Sequence, residues 1–117
     1  MRRKALENLD LGLLLLDLGY TDGAANRLYF AVFQAAVYAL ERKGLRPWHL
    51  QPGSHRWRHV VVRRQVLPLR GRREDAVVFS ELWRLRTKAD YRLAPVSPAE
   101  IETWAPLAAR FVREVTP

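Results

Sequence analysis

The chain has 117 residues, 49% of them hydrophobic, which is enough for one compact domain with its own core and too few for two. It has no cysteine, so disulfides and thiolate metal sites are excluded, and its formal net charge of +8 favours an acidic or polyanionic partner. The apolar stretch 11–18 spans only about two helical turns, far short of the roughly 20 residues of a membrane span. We therefore expect a single domain over 1–117 of a cytoplasmic protein without membrane contact.

Apolar residues recur at helical spacing along the chain and nowhere alternate as in a strand, which predicts an all-α fold. The first helix is expected over 2–18, with Gly19 as its C-terminal stop. The second should begin after Thr21 or Asp22, either of which can cap it, and end near Lys43. Because this second helix is apolar on all sides, it should lie at the centre of a helical bundle.

The middle of the chain is predicted as a connector followed by two helices. Proline and glycine punctuate the connector over 45–53, and Ser54 can cap a third helix that Pro68 and Gly71 close. A fourth helix is expected over 73–91. The side chains expected to face the core from the third helix are Trp57, Val60, Val61 and Leu67.

The last helix has the clearest start signal in the sequence. Ser97 and Glu100 have the form of a capping box, with Pro98 at the first helical position. Pro106 removes one backbone donor further along, so a kink or a restart near Thr103 is expected. Four main helices joined by short loops predict an antiparallel up-and-down four-helix bundle with an additional short helix.

Basic residues are concentrated in one window, since ten of them and no acidic residue lie between Arg42 and Arg73. Such a window attracts polyanions or an acidic protein. An arginine-rich composition is the simpler alternative, but it would not remove the acidic residues. His55 and His59 are four residues apart and could flank one anion site or bind a metal, yet the window offers no carboxylate as a further ligand, so we expect no metal and no cofactor. The residues expected to contact nucleotide, RNA or a partner here are His55, Arg56, His59, Arg63 and Arg70.

Two helical segments carry polar residues on faces that are otherwise apolar. Arg86 and Asp90 are one turn apart on the fourth helix and could form an ion pair. Asn26 and Arg27, in the first turns of the second helix, are further candidates for binding nucleotide, RNA or a partner. The structural alternative is that Arg27 and Arg86 share Asp90 in one buried network that serves packing.

These two segments resemble the motifs of small prokaryotic HEPN proteins that pair with minimal nucleotidyltransferases. The first reads A-A-N-R-L-Y-F-A-V-F-Q-A-A over 24–36 and the second L-R-T-K-A-D-Y over 85–91. The resemblance covers nearly the whole chain. It implies a helical bundle that acts with such a nucleotidyltransferase in a toxin–antitoxin-like pair and binds nucleotide, RNA or the partner through a basic face.

The resemblance leaves the catalytic activity open. Many HEPN ribonucleases place a histidine four to six residues beyond an arginine that stabilises phosphate charge, whereas Tyr91 stands at that place after Arg86 and no histidine follows His59. A phenol is a poor proton shuttle at neutral pH, so the sequence favours a protein without enzymatic activity. If the protein does have a catalytic activity, the candidate catalytic residues are Arg86, Asp90 and Tyr91. The alternatives are a metal-independent ribonuclease, using Arg86 with Tyr91 or with a histidine from the region of His55, and a plain nucleic-acid-binding module.

The chain has more apolar surface than one small bundle can cover. Leu14 and Leu15 fall outside the core stripe of the first helix and add to the apolar surface of the second, so we expect a homodimer. For the basic face, an acidic partner protein is slightly favoured over RNA, because the sequence shows no series of aromatic residues at regular spacing for stacking bases.

Overall fold

The computed structural model describes residues 1–91 and 94–117. Within these ranges the chain folds as six helices and no strand, which confirms the predicted all-α class. No helix in the same ranges combines the length and the hydropathy required to cross a bilayer. The helices are α1 (Arg2–Asp17), α2 (Thr21–Arg42), α3 (Pro47–Leu50), α4 (His59–Arg70), α5 (Arg73–Tyr91) and α6 (Pro98–Val115).

The central helix is α2, as its apolar sequence predicts. It packs against α1, α4, α5 and α6, and its buried residues are distributed around the helix. A ring of contacts runs from α1 to α2, α5, α6 and back to α1, while α4 packs on α2 and α5. This neighbour order is compatible with a four-helix bundle, whose up-and-down topology stays a prediction.

The first two helices approach each other closely at Gly12. This glycine is buried in α1, and a Cβ atom placed on it would lie 2.8 Å from Cγ of Leu28 on α2. Leu28 is itself fully buried. A larger residue at Gly12 would therefore push the helices apart or displace a core side chain.

Two residues predicted as caps of α2 have a different role. The helix begins at Thr21, with Tyr20 as its N-cap residue. The Thr21 hydroxyl donates to the carbonyl of Val96 at 2.7 Å, and Asp22 Oδ1 accepts from the Val96 amide at 2.8 Å. The capping prediction is wrong because both side chains instead hold the segment that precedes α6.

The helix predicted to follow Ser54 begins later, at His59. Gln51 keeps the intervening chain out of a helix. Its Nε2 donates to the carbonyl of Arg56 at 2.6 Å, and its Oε1 accepts from the amide of Arg58 at 2.9 Å. These bonds engage the backbone groups that a helix starting at Ser54 would need.

The core face of α4 also differs from the prediction. Val62 and Val66 are its buried residues, whereas Val60 and Leu67 are exposed and Trp57 precedes the helix. Because residues four apart share a helical face, the buried pair defines a stripe that the predicted set missed.

The C-terminal end of α4 and the start of α6 lie where the sequence places them. Gly71 follows α4 with φ 67°, a left-handed conformation that glycine adopts without strain. At the start of α6, Ser97 Oγ accepts from the Glu100 amide at 3.2 Å, which confirms the capping box. The helix continues through Pro106 to Val115 without the predicted restart. Since Pro106 is exposed, the carbonyl that loses its donor lies on the solvent side.

Candidate functional site

Arg86 and Asp90 form the predicted ion pair on α5, and α2 contributes to it. Arg86 Nε lies 2.9 Å from Asp90 Oδ2, although its N–H does not point at that oxygen as in a hydrogen bond. The same Oδ2 accepts a hydrogen bond from Asn26 Nδ2 at 3.0 Å. Arg27 donates instead to Asn8 Oδ1 on α1, at 3.3 Å. The alternative in which Arg27 shares Asp90 is therefore wrong, and Asn26 is the residue of α2 that holds Asp90.

Aromatic rings surround the Arg86 guanidinium. Its Cζ atom lies between 5.2 and 5.7 Å from the centroids of four rings, which is cation–π distance. The outermost ring, Tyr91, is 71% exposed, and the Arg86 side chain is 18% exposed, so part of its charge remains open to solvent. We call Arg86, Asp90, Asn26 and the rings the Arg86 site. The rings are Tyr29 and Phe30 from α2 and Trp83 and Tyr91 from α5.

His59 joins this cluster from α4. Its Nδ1 lies 2.7 Å from the Tyr29 hydroxyl oxygen, and its ring is stacked on Trp83, with 3.7 Å between centroids and 21° between planes. Tyr29 and Trp83 are also two of the rings around Arg86. The fold thus places a histidine beside Arg86 although none follows Arg86 in the sequence.

Burial sets the ionisation of this histidine and of its tyrosine partner. Burial, followed by the positive charges of Arg63 and Arg86, lowers the pKa of His59 to about 4. Burial also raises the pKa of Tyr29 well above its ordinary value, against the opposing effect of Arg86. At neutral pH the imidazole is therefore uncharged, and a pKa this far below neutral makes it a weak proton acceptor.

His55 and Arg56 lie at a different place from the Arg86 site. Because α4 begins at His59, the two histidines are not on successive turns of one helix, and the predicted pairing of His55 with His59 is wrong. The His55 ring packs instead against Trp48, with 5.9 Å between centroids. With Arg56 it lines a groove of about 550 Å³. Within the described residues, no three side chains of metal-ligand type are grouped together.

The ten basic residues of the window differ in whether they form ion pairs with carboxylates. Arg70 and Arg72 both pair with Asp75 and with Glu114, and so fasten the turn between α4 and α5 to α6. This structural role makes Arg70 a weaker candidate for an external anion than the sequence indicates. The other eight form no ion pair with a carboxylate in the described parts of the chain. Those of the eight that are exposed are Arg42, Lys43, Arg56, Arg58, Arg63, Arg64 and Arg73.

Sequence reasoning did not single out Trp83 or the hydroxyl of Tyr29. Trp83 lies three residues before Arg86 on α5, so helical spacing could have placed its ring beside the guanidinium. Tyr29 is buried, as its position on an apolar helix predicts, but its hydroxyl faces His59. The sequence names His59 as a candidate contact of nucleotide, RNA or a partner, but no local signal places it beside Arg86, because the start of its helix depends on the bonds made by Gln51.

A family model for the HEPN domain matches residues 1–116 of the chain. The matched range includes both motif segments and all six described helices. No curated protein and no solved structure matches the chain.

Proposed function

The chain belongs to the HEPN family, and from this premise we propose that it binds RNA or nucleotide phosphates through a basic face and acts with a minimal nucleotidyltransferase in a toxin–antitoxin-like pair. We define the basic face as the exposed side chains of Arg56 and Arg58, which precede α4, and of Arg63 and Arg64 on α4. Because many HEPN proteins are ribonucleases, RNA is the first polyanion to test.

The observation that carries the proposal is the lack of acidic partners around these four guanidinium groups. None of them pairs with a carboxylate of residues 1–91 or 94–117, whereas Arg84, Arg86 and Arg110 each do. Exposed, unpaired cations close together in one segment supply the attraction on which phosphate binding depends. Arg63 also helps to lower the pKa of His59, so the basic face borders the Arg86 site.

An exposed tryptophan beside the basic face counts against the preference for a protein partner over RNA. That preference rests on the lack of a regular aromatic series in the sequence. In the structure Trp48 on α3 is 49% exposed, and it lines the same groove as Arg56. Aromatic rings beside cations are the usual means of binding single-stranded nucleic acid, so RNA is the ligand that we propose first.

RNA binding by the purified protein tests the proposal. We expect a labelled single-stranded RNA to bind, with an affinity that falls steeply as the salt concentration rises, because bound phosphates release counterions. The double change Arg63→Glu with Arg64→Glu should weaken binding about tenfold or more, and should do so for all sequences alike because phosphate contacts carry no sequence information. The matched control is Arg2→Glu with Arg3→Glu, which makes the same charge change on α1. Equal losses in the two double variants would contradict a localised basic face.

The nucleotidyltransferase partnership needs a separate experiment. A minimal nucleotidyltransferase encoded beside this gene should copurify with the chain when the two are coexpressed. If the double change at Arg63 and Arg64 abolishes that complex and leaves RNA binding unchanged, the basic face docks the partner and not RNA. Failure to copurify at low salt would remove the partnership from the proposal.

The position of His59 favours a second function, metal-independent cleavage of RNA. In such a reaction the neutral imidazole accepts the proton of a ribose 2′-hydroxyl, while Arg86 stabilises negative charge on the phosphate. His59 would supply the imidazole that the chain lacks after Arg86. We expect RNA cleavage in the presence of EDTA, loss of cleavage in His59→Gln and retention in His55→Gln, whose ring lies at Trp48. Cleavage that persists in His59→Gln would exclude this role.

A further inference from the structure

We propose that Trp48 stacks one base of a single-stranded RNA in the groove that it shares with Arg56, a site distinct from the Arg86 site. The inference rests on the proposed RNA function and names the place where one nucleotide is held. The indole recognises the base through its face, and Arg56 recognises the adjoining phosphate.

Trp48 is held in position although it is exposed. It lies on the single turn α3, which begins at the buried Pro47, and the Gln51 amide donates to the Pro47 carbonyl at 2.8 Å. The rings of His49 and His55 lie 5.9 Å from the indole, each at 62° to it, so neither is stacked flat on it. An indole that is already fixed and not stacked loses little conformational freedom when a base stacks on it.

The groove beside Trp48 has the size and the chemistry of a nucleotide site. Its volume of about 550 Å³ lies within the range of small-molecule sites. Phe33 and Trp57 line it as apolar surface, and Arg56 adds a cation.

The groove adjoins the Arg86 site through Phe33. This side chain lines the groove, and its ring lies 6.0 Å from the ring of Tyr29, which bonds His59. The groove and the Arg86 site are therefore neighbours, separated by the rings of Phe33 and Tyr29. Among the described residues, the groove is lined by two guanidinium groups, Arg46 and Arg56, and one carboxylate, Glu41. This excess of positive charge fits a nucleotide phosphate better than an apolar peptide segment.

RNA affinity and tryptophan fluorescence, measured on the full chain, test the site together. Trp48→Ala should weaken the binding of a single-stranded RNA roughly five- to 100-fold, the usual range for loss of one stacked base. Trp48→Phe keeps a ring for stacking, so it should bind within about fivefold of the wild type while losing most of the fluorescence quenching that RNA causes. An abasic RNA of equal length should bind the wild type and Trp48→Ala alike. The matched control is Tyr20→Ala, which removes an exposed ring at the start of α2 and should bind as the wild type does.

The outcomes separate this inference from the function on which it rests. If Trp48→Ala binds RNA like the wild type while the double change at Arg63 and Arg64 still weakens binding, the stacking site is wrong and the basic face stands. If the wild type binds no RNA at all, the proposed RNA function fails, and the stacking site with it. If Trp48→Ala loses a nucleotidyltransferase complex but keeps its RNA affinity, Trp48 is a protein contact and the inference is overturned.

Discussion

Asp90 pairs with Arg86 and accepts from Asn26 through one carboxylate oxygen, and it thereby fixes a guanidinium among aromatic rings. The Arg86 and Asp90 side chains are 18% and 28% exposed. On α1, Arg3 and Glu7 form a pair with the same i, i+4 spacing, but these side chains are 89% and 64% exposed. The effect of burial on an ion pair can therefore be measured in this molecule at constant spacing.

Asp90→Ala should lower the free energy of unfolding by about 1–2 kcal/mol, because Arg86 loses its counter-ion and Asn26 its acceptor in a partly buried place. Glu7→Ala, the matched control, should change it by less than about 0.5 kcal/mol. Urea denaturation of both variants at pH 7 measures the difference. Unchanged stability together with lost RNA binding would assign Asp90 to the ligand instead of the fold.

The lowered pKa of His59 leads to a pH dependence of stability. The pKa is about 4 in the folded protein against an ordinary value of 6.5, so between these values the unfolded chain binds the additional proton. Stability should therefore rise with pH from 4 to 6.5, and this contribution should be constant above that range. At pH 5 it amounts to a loss of at most about 2 kcal/mol relative to pH 7, and to less than that because solvent screens the partly exposed ring.

His59→Gln isolates this effect because glutamine cannot take up the proton. Urea denaturation at pH 5 and pH 7 should show a smaller loss of stability in the variant than in the wild type. Identical losses in the two proteins would contradict a lowered pKa of His59.

At the residue scale, the sequence predicts those contacts that local spacing determines. Arg86 and Asp90 are one helical turn apart, and their predicted pairing is confirmed. Asn26 and Arg27 are neighbours about 100° apart around α2, so the sequence alone does not decide which of them faces α5. His59 comes from α4, and its place beside Arg86 depends on the packing of three helices.

At the scale of the helices, the start of α4 illustrates how loop side chains override a capping signal. Ser54 can cap a helix, but its hydroxyl donates to the carbonyl of Arg56, two residues further on. Gln51 engages the same carbonyl and the amide of Arg58. A capping motif predicts a helix start well where no other side chain competes for its backbone groups, as at the start of α6.

Gly12→Ala should destabilise the protein by about 1–2 kcal/mol. The new Cβ atom would meet Leu28 Cγ at 2.8 Å, and overpacking of this kind costs about 1–3 kcal/mol, more than the roughly 1 kcal/mol that alanine gains over glycine in a helix. The control is Gly23→Ala, where the new atom would lie 3.2 Å from Cδ1 of Leu15, a mobile side-chain end, and stability should hardly change. Thermal unfolding compares the stability of the two variants with that of the wild type. A Gly12→Ala protein more stable than the wild type would show that α1 and α2 can move apart at little cost in free energy.

At the scale of the whole molecule, α1 leaves an apolar stripe uncovered. Leu11, Leu14 and Leu18 follow one another at helical spacing and are exposed, Leu14 by 53%. The dimer prediction also rests on Leu15, but this side chain is partly buried and packs near Gly23. The stripe supports the predicted homodimer and centres it on Leu14.

Light scattering should therefore give about twice the chain mass of 13.6 kDa. Leu14→Glu should yield a monomer, since it places a charge in the apolar stripe. Leu67→Glu, at an exposed leucine of α4, is the matched control and should remain dimeric. A monomeric wild type would end the dimer prediction, and a dimer that survives Leu14→Glu would move the interface away from α1.

Thr21 and Asp22 hold both backbone groups of Val96, 75 and 74 residues further along the chain. Closing so long a loop costs entropy before any contact repays it, whereas α1 and α2 follow each other directly and pack together.

We expect α1 and α2 to be structured in the folding transition state and the bonds to Val96 to form after it. Thr21→Val, which removes the hydroxyl and keeps the shape, should then accelerate unfolding and leave the folding rate nearly unchanged in stopped-flow chevron measurements. A slower folding rate would place these bonds in the transition state. The lifetime of the native state would thus be set by how long α6 stays attached to the start of α2.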